Sequence, residues 1–537
     1  MRVPVMSNCS GKKERFFNLA ILAGLALIEL CCFGGAIEHS GLYLDDWQMI
    51  CQLHFGPQSF LEATGSLLSV DPRVAIRPVE APYFALLYLL FGIQPIAYHV
   101  VNAVTEVLAA WFLCLSVNKL IGSRFLSAAA ALAFLLYPAH DSTHYWIVAS
   151  SVTLSGLLYL ISLWLSLCGA ADGNTRLHWL SGLAFAISLF NYESFLPLIT
   201  LNLGAVYSLS CRKKPSLTSI KEAVTAVAPH LLAIPSLWYY QRHLVPLFFG
   251  KAWSYKIDLD PGQMAHIVSE GVRVSCSPYA FAFFWQQASV FLTEQFNPLP
   301  ILLVFPISML SLWIASSDDH ASRGAGKLVI LGVVTILCSF TIFGLNPDYV
   351  PRLDTTMNRI NTGASIGISM VIAGLSGCLF QILERAFAKK AGALTGAICT
   401  SSTLMLFFAL ANQGFSRPWL LSASMQDHIC KIVAREGDWL SARSSVFLSR
   451  CPRYIDWSPM FDGVWDFQSM VRIVLNNPQI TGGVMSDRIV FSPDRVKDVA
   501  RGTLCGEYPF KDMAVITPDP ERVVRVNSQD EFVSAVR

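Results

Sequence analysis

Two adjacent carboxylates follow the first long apolar run of the chain. Asp45 and Asp46 stand together and are followed by an aromatic residue, Trp47. Neighbouring residues project in different directions, so one carboxylate can face a cavity while the other makes structural hydrogen bonds. Two close negative charges also raise the pKa of one carboxyl unless a cation offsets them, which suits a general base. The pair predicts a catalytic base at Asp45 or Asp46, with an ordinary solvated turn as the alternative.

The composition indicates the surroundings of such a site. Of the 537 residues, 53% are hydrophobic and only 14% are charged, whereas soluble domains carry about 25% charged residues. Apolar runs of roughly 18–25 residues recur along the chain. The net charge of +2 comes from short basic clusters and gives no reason to expect a nucleic-acid partner. The expected fold class is a mainly α, polytopic transmembrane helical bundle.

Hydropathy predicts about eleven membrane spans. Their approximate bounds are 16–36, 97–118, 124–138, 146–168, 177–191, 193–210, 222–240, 299–316, 327–345, 360–383 and 391–412. With the N-terminus in the cytoplasm, every inside loop contains Lys or Arg, as the positive-inside rule requires. An odd number of spans then places the C-terminus on the extracytoplasmic side.

Three of the predicted outside segments are long, at 37–96, 241–298 and 346–359. Short connections suffice to join helices, so long loops are usually functional. The first loop contains two apolar stretches, 60–70 and 83–91, that are too short to span. We expect both stretches to form interfacial helices that lie on the membrane.

The composition changes after residue 414. Charged residues become frequent, and short β-like runs appear at 445–448, 488–491 and 513–517. We expect residues 1–414 to form the membrane domain and residues 415–537 to form a small extracytoplasmic domain of mixed α/β structure. Two of its three cysteines could form a disulfide in an oxidising compartment, and the sequence does not determine which two. These cysteines are Cys430, Cys451 and Cys505.

Two acids lie inside predicted spans, Glu29 and Glu106. An ionisable group in a membrane is a functional candidate because its burial is costly. Asn102 precedes Glu106 by four residues, so both share one helix face. These residues could line a substrate groove or bond to neighbouring helices. They also support a rival hypothesis, a proton-coupled transporter.

A second polar group follows the third predicted span. His140, Asp141 and His144 lie within five residues, and with the acidic pair they could bind a divalent metal. No standard zinc spacing is present, and an ordinary polar link between helices is the alternative. The sequence leaves a divalent metal and a polar link as alternatives and makes no cofactor certain.

The order of short motifs resembles a known family. Arg77-Pro78 follows the acidic pair, and Phe91-Gly92, Tyr98-His99 and Asn102 open the second span. This order resembles the start of GT-C-type integral membrane glycosyltransferases, above all the protein O-mannosyltransferase-like branch and its bacterial relatives.

The resemblance continues to about residue 410. Further elements are Tyr137-Pro138-Ala139-His140-Asp141, Tyr145-Trp146-Ile147, Asn191-Tyr192-Glu193-Ser194 and an Arg359 that precedes a Gly-rich span. The chain departs from the family's pattern at two positions. Glu106 stands where the family often has His, and Tyr192 stands where it has Lys.

The resemblance implies an enzyme of the cell membrane, most naturally a bacterial inner membrane. Its donor would be a polyprenyl-phosphate-linked sugar, its acceptor would lie outside, and membrane lipid would surround it. Asp45 or Asp46 would be the base of an inverting transfer. Arginine suits the leaving phosphate because its planar fork matches phosphate oxygens, and the candidates are Arg77, Arg359 and Arg352. The expected substrate groove contains Trp47, His99, Asn102, Glu106, His140, Asp141, His144 and Glu193.

Two other functions compete with this hypothesis. A transporter of lipid-linked glycans should have related halves with polar residues at mid-membrane, yet the sequence has no obvious repeat and its polar candidates cluster at one face. A membrane anchor for the C-terminal domain would leave the long charged loops unexplained. The enzyme is the preferred prediction.

Overall fold

The computed structural model describes residues 8–211, 217–250, 259–293, 298–316, 322–346, 348–387, 390–500 and 503–536. Parts of the predicted loop 241–298, at residues 251–258 and 294–297, lie outside these ranges. The α-helices of the first half are α1 Asn8–His39, α2 Asp45–His54, α3 Phe60–Val70, α4 Pro72–Ala75, α5 Glu80–Phe91, α6 Pro95–Ile121, α7 Arg124–Leu136, α8 Ser142–Tyr145, α9 Ser150–Asp172, α10 Thr175–Asn191, α11 Ile199–Ser210 and α12 Leu217–Tyr239.

The second half continues with α13 Val245–Phe249, α14 Pro261–Cys276, α15 Pro278–Thr293, α16 Leu299–Leu302, α17 Val304–Ala315, α18 Ala325–Ser339, α19 Thr362–Ala386, α20 Lys390–Arg435, α21 Gly437–Ser441, α22 Val464–Val474 and α23 Gln529–Val536. Short 3-10 segments lie at Pro138–His140, Glu193–Leu198, Phe343–Leu345 and Thr356–Asn361. The strands are β1 Ser445–Leu448, β2 Tyr454–Ile455, β3 Ser458–Pro459, β4 Thr481–Val484, β5 Ile489–Ser492, β6 Arg495–Ala500, β7 Thr503–Pro509, β8 Met513–Pro518 and β9 Glu521–Val526.

The helical membrane fold is confirmed. Each of the eleven predicted segments coincides with helical structure. Within the described ranges, seven helices are long and apolar enough to cross a membrane. They are Lys13–His39, Pro95–Ile121, Ser150–Asp172, Leu217–Phe249, Ala325–Leu345, Thr356–Ala386 and Lys390–Arg435. The total number of crossings and the sides of the two termini stay predictions.

Close packing of α18 on α19 places the loop that carries Arg359. A Cβ on Gly332 would lie 2.5 Å from the carbonyl oxygen of Gly367, and a Cβ on Gly367 would lie 2.6 Å from that of Gly332. Small residues allow two transmembrane helices to approach in this way. The 3-10 segment Thr356–Asn361 leads directly into α19 and is therefore held by a rigid helix pair.

Helices α2 to α5 form a layer over one end of the bundle. The two predicted interfacial stretches are helical, as α3 and as part of α5. An N-cap begins α4, where the Asp71 side chain accepts from the backbone N–H of Arg73 at 2.8 Å. The inner faces of these helices share one apolar cluster with Ile473 of α22. This layer is what carries Asp45 and Asp46.

The C-terminal region contains the predicted mixed α/β structure. One sheet has the order β4-β1-β8-β9, in which β1 is parallel to both neighbours, and another has the order β5-β6-β7. The predicted β runs correspond to β1, β5 and β8. The boundary that we predicted after residue 414 falls inside α20, which runs unbroken to Arg435. The sulfur atoms of Cys430, Cys451 and Cys505 are free thiols.

Candidate active site

A strained turn starts α2. Leu44 immediately precedes the helix and has φ 47° and ψ −118°, a conformation that costs a branched residue of order 1–3 kcal/mol. The turn places Asp45 and Asp46 in the first turn of α2. Negative charge is favourable there because the helix dipole and the unpaired N–H groups point toward it. The strain thus serves to set the directions of two adjacent carboxylates.

Asp46 points into the protein and is fully buried. Its Oδ2 accepts from the backbone N–H of Tyr43 at 2.9 Å and of Ile147 at 3.3 Å. Its Oδ1 accepts from the N–H of Val148 at 2.8 Å. Burial raises the pKa of Asp46 to about 8, against the lowering effect of these three hydrogen bonds. Asp46 therefore ties α2 to the segment before α9.

Asp45 faces an open cavity of about 190 Å³. Its Oδ2 lies 3.2 Å from Nη1 of Arg73, and the Asp45 side chain is 24% exposed. Burial raises the pKa of Asp45, while the charges of Arg73 and Arg359 lower it. This carboxylate is both accessible and close to cations. The cavity, here called the polar cavity, is also lined by Gln48, Gln52, Asp71, Arg77, Glu80, Trp146, Tyr192 and Tyr349.

Arg359 contributes a second cation to the polar cavity. Its Nη1 donates to the carbonyl oxygen of Thr356 at 2.7 Å, and its guanidinium lies 4.9 Å from the centre of the Trp146 ring. Among the described residues, no carboxylate forms an ion pair with it. The Arg359 guanidinium therefore lines the polar cavity, and no acid of the described residues neutralises its charge by an ion pair.

Arg77 is held in a different way. Its Nε and Nη2 atoms donate to the two carboxylate oxygens of Glu193 at 3.0 and 2.9 Å. Its guanidinium also lies 4.0 Å from the centre of the Tyr192 ring. A bidentate pair stacked on an aromatic ring is rigid. Arg77 lines the polar cavity, and most of its charge is balanced by Glu193.

A second, mostly apolar cavity of about 260 Å³ adjoins the first. The two cavities share Arg77, Tyr192 and Tyr349 as lining residues. The other side chains of this apolar cavity are Ile76, Glu193, Ser194, Leu196, Ile234, Leu237, Trp238, Gln241, Arg242, Ile342, Phe343, Leu345 and Asn346. A ligand with a polar head and a long apolar tail would fit across the shared residues.

Three other predicted site residues lie away from the polar cavity: Trp47 and His99 of the expected groove, and the phosphate candidate Arg352. Trp47 turns toward the C-terminal region, where its Nε1 donates to Oε1 of Gln426 at 2.9 Å. Arg352 is exposed and lines neither cavity, and its carbonyl oxygen accepts from Asn361 at 3.1 Å. The ring of His99 is buried and lies 3.2 Å from the carbonyl oxygen of Gly41.

Asp141 forms part of a buried polar layer behind the cavity. Its Oδ2 accepts from Nε1 of Trp419 at 2.9 Å, and its Oδ1 accepts from Nδ2 of Asn358. Burial raises the pKa of Asp141 to about 7. Asn358 directly precedes Arg359, so the Asp141 carboxylate fixes the 3-10 segment that presents this arginine.

The two neighbouring histidines are buried and neutral. Nδ1 of His140 lies 3.1 Å from Oγ1 of Thr143. Burial lowers the pKa of both His140 and His144 to about 3. Asn102 donates to the carbonyl oxygen of Thr143 at 2.7 Å and to Oε1 of Glu106 at 3.1 Å. These side chains do not line the polar cavity.

The structure does not assemble the metal ligands that the sequence suggested. The oxygens of Asp46 bind backbone N–H groups, and those of Asp141 bind Asn358 and Trp419. Within the described ranges, His144 lies instead with Glu29 and Glu106. The two acids inside the predicted spans thus belong to a cluster of their own.

Arg73, Glu80 and Tyr349 were not predicted as site residues from the sequence. All three line the polar cavity. The signal for Arg73 was the run Asp71-Pro72-Arg73, because an N-cap and a proline predict a short helix that turns back toward the start of α2. For Tyr349 no sequence signal existed, since only packing brings it beside Tyr192.

No profile of a known protein family matches the chain. A local stretch of 86 residues is 33% identical to Protein O-mannosyl-transferase Tmtc1 of Drosophila melanogaster, covering 16% of this chain and 10% of that protein. The chain therefore spans about a tenth of the length of this curated relative. The name of this relative, protein O-mannosyl-transferase, is also that of the branch of glycosyltransferases that the order of motifs in this chain resembles.

Two solved structures of ArnT from Cupriavidus metallidurans are similar over most of the chain. The structure bound to undecaprenyl phosphate is 13% identical, covers 87% of this chain and 85% of that one, and has a TM-score of 0.36. The apo structure is 13% identical, covers 88% and 86%, and has the same TM-score.

Proposed function

We propose that this integral membrane protein is an inverting glycosyltransferase. It moves a sugar from a polyprenyl-phosphate donor to an acceptor outside the membrane, and Asp45 is its general base. One observation carries the proposal. An accessible carboxylate and an arginine that no carboxylate of the described residues pairs with face one polar cavity, and that cavity joins an apolar one at Arg77, Tyr192 and Tyr349.

The reaction is a single displacement at the anomeric carbon. Asp45 takes the proton of the acceptor hydroxyl, and the acceptor oxygen forms a bond to C1 of the sugar. The bond between C1 and the phosphate oxygen breaks, and its electron pair leaves with the lipid phosphate. The nucleophile enters opposite the leaving group, so the configuration at C1 inverts. A positioned base of this kind contributes about 10²–10⁴-fold to the rate.

Asp45 is preferred to Asp46 because of what their oxygens already bind. All three hydrogen bonds of Asp46 come from backbone N–H groups in a fully buried environment. Protonation there would break one of those bonds. Among the described residues, Arg73 is the one side chain that forms an ion pair with Asp45, and the Asp45 carboxylate is partly exposed. It can therefore reach an acceptor hydroxyl without disturbing the fold.

Arg359 is the group proposed to stabilise the leaving phosphate. Fixed positive charge lowers the barrier most where negative charge develops, and Arg359 has no carboxylate to neutralise it among the described residues. Arg77 contacts the same cavity but shares its charge with Glu193. Its proposed role is to form the wall between the two cavities. Arg352 has no part in this proposal because it lines neither of them.

The apolar cavity is proposed to hold the first isoprenyl units of the donor. Its walls include Leu237, Trp238 and Phe343, and Trp238 keeps 56% of its exposed surface. An opening lined in this way suits a tail that continues into the membrane. The phosphate would then lie at the shared residues, within the field of Arg359, and the sugar would lie in the polar cavity near Asp45.

The test measures release of the lipid product. The full chain, purified into lipid nanodiscs, is incubated with a panel of polyprenyl-phosphate hexoses and pentoses and with cell-envelope acceptors, and free polyprenyl phosphate is followed by mass spectrometry. Release by the wild-type chain that disappears in Asp45→Asn and persists in Asp354→Asn supports the proposal. Asp354 is a matched control because it is exposed and lies outside the polar cavity. Equal release by wild type and Asp45→Asn would reject Asp45 as the base.

A further inference from the structure

Three ligand-type side chains meet inside the helical bundle, behind the polar cavity. Glu29 belongs to α1, Glu106 to α6 and His144 to α8, and one nitrogen or oxygen atom of each lies within 4.8 Å of those of the other two. The three residues are 5%, 5% and 8% exposed. Side chains from three separate elements thus converge on one point.

Several polar atoms at this point have no hydrogen-bond partner in the part of the chain that the structure describes. They are Oε2 of Glu29, Oδ1 of Asn102 and Nε2 of His144. Nδ1 of His144 lies 2.5 Å from Oε2 of Glu106, but the two atoms do not form a hydrogen bond of normal geometry. A buried polar atom without a partner costs about 1–3 kcal/mol. The cluster is therefore expensive unless another group completes it.

The same side chains surround a small cavity. Glu29, Asn102, Glu106 and His144 all line a space of about 10 Å³, roughly the size of one water molecule, and Glu106 and His144 also line a neighbouring space of about 10 Å³. The unpartnered atoms thus share a space that can hold an ion or a water molecule.

The negative charge of the two glutamates favours a cation as the missing group. Within the described part of the chain, neither Glu29 nor Glu106 forms an ion pair with Lys or Arg. Two buried carboxylates without a counter-ion are strongly unfavourable in a membrane interior. A divalent ion would neutralise both at once, and an imidazole nitrogen would supply a third ligand without adding charge.

We propose that Glu29, Glu106 and His144 bind a divalent transition-metal ion, with Zn²⁺ as the preferred ion. Zinc takes imidazole and carboxylate ligands in a four-coordinate site, whereas magnesium and calcium prefer oxygen ligands alone. Oδ1 of Asn102 or a water molecule completes the set. The ring of His144 is already oriented, since it stacks on Phe33 at 4.2 Å between centroids.

Such an ion would link α1 and α6 to the segment between α7 and α9. That segment provides the N–H groups of Ile147 and Val148 to Asp46, and its Trp146 contacts Arg359. The ion would stabilise the walls of the polar cavity without touching a ligand there. The inference does not depend on the proposed transferase reaction.

The experiment measures metal content. The full chain, purified in detergent without chelator, is equilibrated with ZnCl₂, dialysed and analysed by inductively coupled plasma mass spectrometry. We expect about one zinc per chain, most of it lost in Glu29→Gln and in Glu106→Gln. His230→Gln is the matched control, because His230 is a buried histidine whose Nε2 contacts Ser162 and Ser181 elsewhere in the bundle. It should keep the zinc.

Two results would overturn the proposal. One is a wild-type chain that retains no zinc after dialysis, as expected if the two carboxyl groups share a proton instead. The other is equal zinc content in the wild type and the two glutamate variants. If the variants do not fold, X-ray absorption at the zinc edge of the wild type decides the question. Nitrogen and oxygen ligands at about 2.0–2.2 Å support the cluster, and a sulfur ligand shell excludes it.

Discussion

The polar cavity and the buried glutamate cluster contain similar groups under opposite conditions. In the polar cavity, Asp45 lies 3.2 Å from Arg73, and at its edge Glu193 lies 2.9 Å from Arg77. In the cluster, Glu29 and Glu106 have a neutral histidine beside them and no basic partner among the described residues. The first region compensates negative charge with arginines, and the second has no compensation of its own.

The difference follows from the elements that build each region. The polar cavity is formed by loops and short helices, from which arginine side chains can reach inward while keeping contact with water. Arg73 is 43% exposed in its side chain, so its ion pair contributes little stability and can open for a ligand. The cluster lies between α1 and α6, where an additional arginine would itself be costly to bury. One region is suited to exchanging ligands, and the other is suited to holding an ion permanently.

Removal of the Asp45 charge should have the largest effect on activity. We expect Asp45→Asn to reduce turnover about 10²–10⁴-fold, because the acceptor hydroxyl loses its base. Its melting temperature and its zinc content should match those of the wild type, since within the described ranges the Asp45 carboxylate is ion-paired with the half-exposed Arg73 alone. Turnover is measured as release of polyprenyl phosphate. Normal turnover in Asp45→Asn would contradict the role of Asp45 as the base. Loss of zinc in this variant would show that the polar cavity and the glutamate cluster are not independent.

Removal of the Arg359 charge should have the next largest effect. We expect Arg359→Ala to lower kcat/KM for the lipid donor about 10²–10³-fold, as for other groups that stabilise developing negative charge. Arg359→Lys should recover part of the loss, because it restores charge but not the planar fork. Arg352→Ala, in the same loop but outside both cavities, is the control and should match the wild type. Equal losses in the two alanine variants would point to a nonspecific effect of the loop.

Asp46→Asn should weaken the fold more than the chemistry. Its amide nitrogen cannot accept a hydrogen bond, so at least one backbone N–H among Tyr43, Ile147 and Val148 loses its partner. We expect the free energy of unfolding to fall by about 1–3 kcal/mol. Thermal unfolding in nanodiscs measures this, with Asp45→Asn as the companion variant. If Asp45→Asn were the less stable of the two, the structural role would belong to Asp45.

The smallest effect should be a shift in pH dependence. Burial raises the pKa of Asp45 and Arg73 lowers it, so Arg73→Gln should raise that pKa further. The base works only when ionised, and the activity is lost as the pH falls through this pKa. The acidic limb of kcat/KM should therefore move to higher pH in Arg73→Gln. Arg73→Lys should keep it near its wild-type position, and an unmoved limb in Arg73→Gln would show that Arg73 does not act on the base.

Much of the helical fold was predictable because hydropathy and length are local properties. The eleven apolar segments, both short helices over the end of the bundle and the strands at 445–448 and 513–517 follow from composition and periodicity. The end of the last membrane helix was not predictable in this way. Helix α20 continues for 46 residues to Arg435, because packing against the C-terminal region supports its polar half.

The candidate site was predictable only in part. Its acidic pair and Arg359 stood out by residue type and by their place next to the ends of predicted spans. The expected groove extends beyond the polar cavity, because Asp141, His140 and Trp47 do not line that cavity and form hydrogen bonds within the fold instead. Arg73 and Tyr349 were missed, since their relation to Asp45 arises from contacts between distant parts of the chain.

The sequence by itself determined that this is a helical membrane protein with an acidic pair shortly after its first long apolar segment. Both conclusions rest on composition and order along the chain. The tertiary structure decided which aspartate faces a cavity, because that depends on the turn at Leu44 and on N–H groups about a hundred residues away in the chain. It also decided that Glu29, Glu106 and His144 meet, since only helix packing brings three distant, costly groups to one point.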